Sequence, residues 1–242
     1  MSKGFIEPTE RPRRFYSAVE VVPENGGFAV RLDGRSVRTP RGGRLALPTR
    51  ALADQVAAEW AGQGETIELA SMHATRLANT AIESIPAARE ATADSVAGYA
   101  ASDLICYFAE EPQALVARQR TYWEPVLTRI ETEAKVSFVR AAGIVHQTQP
   151  DATLAEVRAI ALALDDFGLA GLAFGAALFG SAILAIALQR GWIDGEQAFH
   201  LSHVDESWQQ EQWGVDEEAA ERAARLRDEA LMLDRWFRAL EG

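Results

Sequence analysis

The residues best suited to specific recognition lie between Leu201 and Gly214, in the stretch LSHVDESWQQEQWG. At helical spacing Asp205 and Trp208 fall on one stripe. Gln209 and Trp213 fall on the next stripe, so indole rings would lie beside carboxylates and side-chain amides. Tryptophan is enriched at binding hot spots because it buries a large area at a small entropic cost. The stretch carries no metal-binding, phosphate-binding or catalytic-nucleophile motif. Its residue types favour a surface that binds another protein.

A structural interpretation of the same residues stays open at this point. Trp208 and Trp213 could anchor the helix to the core, because buried aromatic stripes are common in helices. Glu206, Gln210 and Glu211 would then form a solvated face. The residue types alone do not decide between the two interpretations.

Metal chemistry is the next candidate, because His200 and His203 stand three residues apart. Both could share a helix face with Glu206 or Glu196 as metal ligands. The pair lacks a fixed third ligand, so we interpret the histidines as helix-surface or core residues and predict no metal site.

Enzymatic chemistry finds little support in the sequence. The phosphate-binding patterns GxxxxGKS/T and GxGxxG do not occur, so we predict no nucleotide cofactor and no catalytic residue. The competing hypothesis is a small-molecule enzyme or ligand-binding protein with an interdomain pocket near His73, Asn79, Asp103 and Tyr107.

Charge and composition narrow the class of partner. The 242 residues include 48% hydrophobic residues, enough for a substantial core, and the formal net charge is −11. This charge repels nucleic acid and anionic membrane surfaces. The single cysteine, Cys106, excludes an intrachain disulfide and fits a reducing compartment. The N-terminus lacks the apolar core of a secretory signal, and a cytoplasmic address follows for a bacterial source.

The uncharged segment Phe167–Leu188 is long enough to span a bilayer and contains Gly171 and Gly175 in GxxxG spacing. Its high glycine and alanine content and the absence of a flanking basic cluster argue against a span. We expect a helix hairpin or broken helix buried in a helical bundle, and no membrane insertion.

The remaining patterns predict an α+β fold. Short alternating runs up to Pro48, with turns at Asn25-Gly26-Gly27 and Asp33-Gly34, predict an antiparallel β-rich unit. One helix should start at the N-cap Thr49 and end near Gly62 or Gly64, and the segment TIELAS should add a short strand. From about Met72 the periodicity is helical. We therefore predict a small antiparallel β-rich N-terminal domain with one helix, residues 1–72, and an all-α helical C-terminal domain, residues 73–242.

Three features of the helical part are predicted in more detail. The helix that contains Leu77 and Ala81 should stop at Pro86, and a long helix from about Pro112 should kink or break at Pro125. Gly195 to Trp213 should form a single helical stretch.

The stretch from Leu201 also resembles the C-terminal signature LSRLEEEYQxxxWG of the assembly chaperones for the alpha subunit of the F-type ATP synthase. This chain departs from it at His203, Asp205, Ser207 and Trp208. Further blocks resemble the family in the same order, and the resemblance covers about Arg14 to Asp216. These blocks are Arg14 to Tyr16, Leu32 to Pro40, Glu59 and Trp60 before Gln63, Met72 to Glu83, Asp103 with Ile105 to Tyr107, and Glu110 to Pro125.

The resemblance implies a chaperone without catalytic activity or cofactor that binds the free alpha subunit until the beta subunit replaces it. It also implies the α+β arrangement, and a mitochondrial matrix location for eukaryotic members. The partner-binding residues carried over from the signature are Glu206, Asp205, Trp208, Gln209, Trp213 and Gly214. The departures at Asp205 and Ser207 leave open which carboxylate acts.

Overall fold

The computed structural model describes residues 12–24, 26–143, 145–214 and 216–241. A small antiparallel sheet comes first and a mostly helical part follows, which confirms the predicted α+β class. The C-terminal part was predicted as all-α, but it also contains two short parallel strands, Tyr107–Phe108 and Ala141–Ala142. The strands are β1 Val19–Glu24, β2 Gly27–Leu32, β3 Arg35–Ser36, β4 Ala46–Leu47, β5 Tyr107–Phe108 and β6 Ala141–Ala142. The helices are α1 Arg50–Ala61, α2 His73–Glu83, α3 Ile85–Ala101, α4 Gln113–Ala134, α5 Asp151–Ala163, α6 Asp166–Phe179, α7 Ala182–Gln189, α8 Gly195–Ser202, α9 Val204–Trp213 and α10 Glu217–Glu241. The N-terminal residues 1–11 and Asn25 of the predicted first turn lie outside the described residues.

The N-terminal sheet is antiparallel around β2. One edge of β2 pairs with β1, and the other edge pairs with β3 and β4. The predicted hairpin at Asp33-Gly34 is confirmed, because both residues have positive φ, 47° and 78°, as a type I′ turn requires. The Asp33 carboxylate accepts from the backbone N–H groups of Ser17 and Ala18, which tie the start of β1 to the turn.

Helix α1 covers the inner face of this sheet. Thr49 caps it by accepting from the Leu52 N–H at 3.1 Å, as predicted, and Gly62 follows its last residue. The predicted TIELAS strand is wrong. Thr66 makes only an isolated bridge with Arg13, and Leu69–Ser71 forms a 3₁₀ turn. Local bonds explain the difference, since the Glu68 N–H donates to the Gln63 side chain instead of to a ladder.

The N-terminal part and the later helices meet around Glu59 of α1. Its carboxylate accepts from the N–H groups of Ala74 at 2.7 Å and Thr75 at 2.8 Å, and so caps the start of α2 from another helix. His73 lies 3.3 Å from Glu229 of α10, and Thr49 donates to the Ala239 carbonyl. One continuous core runs through both parts. The division at residues 72 and 73 stays a proposal, placed where α2 begins.

The apolar segment forms a buried pair of helices, as predicted. α6 ends at Gly180, which has φ +62°, and Ser181 caps α7. Every α7 residue from Ala182 to Leu188 is buried. Among the described residues no helix is long and apolar enough to cross a membrane.

Three predicted boundaries are wrong in detail. The stretch from Gly195 to Trp213 forms two helices, because His203 leaves helical geometry with φ −120° and ψ 24°. Pro125 lies inside the continuous helix α4, so the predicted break is wrong, and the alternative of a kink stays a prediction. Pro86 lies in the first turn of α3, where its missing N–H has no partner to lose, and α2 already ends at Glu83.

Candidate functional site

Helix α9 carries the predicted recognition residues, and helix α4 holds it in place. Trp123 of α4 is 1% exposed, and its Nε1 donates to the Leu201 carbonyl at 2.9 Å, just before α9 begins. A capping box between Asp194 and Gln197 starts the preceding helix α8. The path of the chain into α9 is therefore set by buried and local hydrogen bonds.

Asp205 turns towards the protein interior. Its Oδ1 accepts from Nε2 of the fully buried Gln119 at 2.7 Å. Gln119 in turn accepts from the Ala109 N–H at 2.8 Å. Burial raises the pKa of Asp205; the bond from Gln119 opposes this shift and the charge of Glu206 adds to it. The carboxylate thus links α9 to α4.

Glu206 faces outward, in contrast to its neighbour. It is exposed and lines a groove of about 350 Å³ between α9 and the first half of α10. His203, Gln210, Arg222 and Leu226 line the same groove. No ion pair within 4 Å is formed by Glu206 in the described part of the chain, so its charge is available to a partner.

Trp208 and Glu211 share one arginine of α4. Arg118 donates two hydrogen bonds of 2.7 Å to the Glu211 carboxylate, and its guanidinium lies 5.9 Å from the centre of the Trp208 ring. The bonds to Glu211 raise the pKa of Arg118, and the same bonds lower the pKa of Glu211. The half-buried indole of Trp208 therefore lies against a guanidinium that Glu211 holds in place.

The end of α9 projects into solvent. Trp213 is 79% exposed, so the interpretation of this residue as a core anchor is wrong. Gln209 is also exposed. Gly214 ends the helix with φ +89°, a conformation that a side chain would strain. The six predicted residues therefore divide into an inward anchor, Asp205, a half-buried ring, Trp208, and four exposed positions.

His200 and His203 have separate surroundings. The ring of His200 meets Tyr122 edge to face at 5.0 Å. His203 packs on Phe199 and places Nδ1 2.9 Å from the Ser202 hydroxyl. Across the described residues no group of three or more potential ligands is suitably placed for a metal ion.

Among the described residues, no hydrogen bond or ion pair joins any two of the four residues of the competing pocket hypothesis, His73, Asn79, Asp103 and Tyr107. His73 pairs with Glu229, and Tyr107 shares a 3.0 Å hydrogen bond with His146. Asp103 is fully buried, accepts from the N–H groups of Ile105 and Ile183, and burial raises its pKa to about 7. This perturbed carboxyl ties the segment after α3 to the start of α7. Its role there is structural.

Sequence reasoning missed Arg118 and Tyr122 as site residues. They lie in the block from Glu110 to Pro125, but their partners, Glu211 and His200, are much further along the chain. The four-residue spacing of Arg118 and Tyr122 places them on one helix face and was the available signal.

Comparison with known proteins gives concordant matches. A family model described as "ATP12 chaperone protein" matches residues 13–131, a range that ends before α9. The mitochondrial protein atp12 of Schizosaccharomyces pombe is 24% identical over 221 residues, which cover 86% of this chain and 76% of that protein.

Two solved structures share the fold and substantial identity. The crystal structure of Atp12 from Paracoccus denitrificans is 38% identical with a TM-score of 0.86, covering 94% of this chain and 98% of that one. A protein of Agrobacterium tumefaciens is 40% identical with a TM-score of 0.88, covering 95% of this chain and 86% of that one.

Proposed function

The chain belongs to the ATP12 chaperone family, which serves ATP synthase assembly, and we propose that it binds the free alpha subunit and shields its subunit-contact surface. The chaperone leaves when the beta subunit takes its place. An exposed apolar surface on an unassembled subunit is an aggregation hazard, and binding lowers the concentration of free subunit. This mechanism is competition between two binding partners, so it needs no catalysis and no nucleotide. For a bacterial source, the proposed address is the cytoplasm.

The observation that carries this proposal is the outward face of α9. An exposed carboxylate, Glu206, and an exposed indole, Trp213, stand on one short helix whose inner side is locked to α4. Tryptophan is enriched at binding hot spots, and a charged side chain beside it contributes specificity for the partner. Gln209 and Gly214 extend the same face. Asp205 contributes by fixing the orientation of α9.

The test is charge reversal at Glu206. Glu206→Lys should abolish capture of purified alpha subunit, because it removes a favourable interaction and introduces a repulsive one. A desolvated interfacial charge pair is worth roughly 2 to 5 kcal/mol in binding. Stability should fall by no more than about 1 kcal/mol, the cost of a cation in the first turn of a helix. Capture and thermal unfolding are measured on the same preparations.

The matched control is Asp228→Lys, an exposed carboxylate in α10 that forms no ion pair within the described residues. It changes the net charge equally and should leave capture intact. Glu206→Gln separates loss of the charge from repulsion and should weaken capture less than the lysine variant does. Normal capture by Glu206→Lys would contradict the assignment of this face, and failure of the wild-type protein to capture alpha subunit would contradict the function.

A further inference from the structure

The surface of α9 continues along α4 as a strip of paired side chains. Arg118, Tyr122 and Arg129 are separated by four and seven residues, which places them within about 40° of one another around α4. Arg118 contacts Trp208 and Glu211 of α9. Further along, Tyr122 contacts His200 of α8, and Arg129 contacts Trp192. The chain from 192 to 213 thus runs antiparallel to α4, and the strip extends about 16 Å from Arg118 to Arg129.

The far end of this strip is a cation stack. The guanidinium of Arg129 lies 4.7 Å from the centre of the Trp192 ring, and that of Arg190 lies 5.7 Å from it. Both arginines are exposed. Neither has a carboxylate oxygen within 4 Å among the described residues, although Arg118, Arg158 and Arg227 are all ion-paired. Two such cations share one indole ring in a chain of net charge −11.

Two hollows border the strip. One, of about 320 Å³, lies in its middle and is lined mostly by apolar atoms of Tyr122, Ile193 and Leu201. The other, of about 640 Å³, lies beside the cation stack and is lined by Arg190, Trp192, Ile160 and Leu164, among others. Ile193 directly follows Trp192, so the apolar hollow and the cation stack are adjacent in the chain.

We propose that the Arg129–Trp192–Arg190 stack is a second docking point for the same client and binds a segment that carries carboxylates. The apolar hollow at Tyr122 receives a nonpolar side chain of that segment, between the stack and α9. The inference rests on the proposed function, because it extends the α9 surface to a longer contact with the alpha subunit. The stack adds two arginine side chains to a binding surface that otherwise consists of a carboxylate, Glu206, and tryptophan rings.

Charge and geometry favour an acidic segment as the occupant. A planar guanidinium binds a carboxylate with two parallel hydrogen bonds, and contact with the indole face restricts each arginine before binding. This restriction lowers the conformational entropy lost when the partner binds. Glu156 and Glu241 line the larger hollow without pairing with Arg190, and they would repel an acidic segment that entered it. We therefore expect the carboxylates of the partner to bind at the edge of the Trp192 ring and not deep in the larger hollow.

The test is the double variant Arg129→Gln with Arg190→Gln, with purified alpha subunit as the probe. Affinity should fall about tenfold, and its dependence on salt between low and physiological ionic strength should decrease, because two screened charge contacts are lost. The control is Arg120→Gln with Arg235→Gln. Arg120 lies on the opposite side of α4, where it lines a hollow with Phe108 and Arg140, and Arg235 lies in a groove between α1 and α10. The control variant should bind like the wild type.

The outcomes separate this inference from the function itself. If the double variant binds normally while Glu206→Lys does not, the cation stack is not a docking point and the proposed function stands. If the wild type captures no alpha subunit, the function fails, and this inference fails with it. If the double variant melts at a lower temperature, the dependence of its affinity on salt decides. A weaker salt dependence than that of the wild type supports the charge contacts, and an unchanged salt dependence overturns them.

Discussion

Gln119 donates from Nε2 to Oδ1 of Asp205 at 2.7 Å, although the two residues are 86 positions apart in the chain. The same side chain accepts from the Ala109 N–H, so one buried amide joins the segment before α4, α4 itself and α9. The inward position of Asp205 leaves Glu206 as the outward carboxylate of the pair. This arrangement separates an anchoring role from a binding role in adjacent residues.

Gln119→Ala should lower the free energy of unfolding by about 2 to 4 kcal/mol, because it leaves the Ala109 N–H and the half-buried Asp205 carboxylate without their partner. Chemical denaturation measures the change. Gln113→Ala, at the exposed start of the same helix, is the control and should stay within about 0.5 kcal/mol of the wild type. If Gln119→Ala changes the free energy of unfolding no more than Gln113→Ala does, the buried amide contributes little to stability.

Trp213→Ala should leave the free energy of unfolding within about 0.5 kcal/mol of the wild type, because the side chain is 79% exposed. If α9 binds the client, affinity should fall at least about tenfold, as is usual at a tryptophan hot spot. Phe15→Ala removes another large exposed ring, 72% exposed, from the N-terminal part and should leave affinity unchanged. Equal losses of affinity in both variants would indicate non-specific hydrophobic binding instead of a defined site.

Asp103 should make stability depend on pH. Burial raises its folded-state pKa to about 7 from an ordinary value of 3.8. Between these two values the folded state holds more protons than the unfolded state, so this carboxyl lowers stability as the pH rises from about 4 to 7. The slope approaches about 1.4 kcal/mol per pH unit and flattens above pH 7. Denaturation curves at several pH values, compared between the wild type and Asp103→Asn, isolate this contribution. Parallel pH dependences in the two proteins would contradict it.

Gly171→Ala should destabilise the fold by about 1 to 3 kcal/mol, the usual cost of overpacking. A Cβ at Gly171 would lie 2.9 Å from Trp236 Nε1 and from Phe237 Cε1, two residues of α10 that pack on α6. Gly98→Ala in α3 is the control, because its Cβ would meet no atom within 4 Å. That variant should be more stable than the wild type by about 0.5 to 1 kcal/mol, the helix propensity difference. A lower free energy of unfolding in Gly171→Ala together with a higher one in Gly98→Ala would support close packing of α6 on α10.

Local signals in the sequence predicted the local structure well. Asp33-Gly34 specified its hairpin because both positions need positive φ, and Thr49 specified the start of α1 because its side chain caps a free N–H. The small residues of Phe167–Leu188 indicated close helix packing, and Gly171 and Gly175 do lie against α10. The hairpin and the helix cap depend on residues that are close in sequence, whereas only the structure shows that α10 is the helix packed on the two glycines.

The candidate site was predictable in position but not in the roles of its residues. The helix that contains Asp205 and Trp213 could be recognised from its residue types, but periodicity could not show that one residue faces Gln119 and the other faces water. The break at His203 changes the direction of the chain between α8 and α9, so stripes drawn on one continuous helix do not apply.

By itself the sequence determined the fold class, the turns and caps, the burial of the apolar helices and the resemblance to a chaperone family. These properties follow from residue type and from spacing within a few turns of chain. Tertiary structure decided which carboxylate is exposed, that Arg118 serves Trp208 and Glu211, and that Arg129 and Arg190 meet on Trp192. Except for the local contact of Arg190 with Trp192, these contacts join residues that are far apart in the sequence. Their geometry depends on how α4, α8 and α9 pack, which no local pattern encodes.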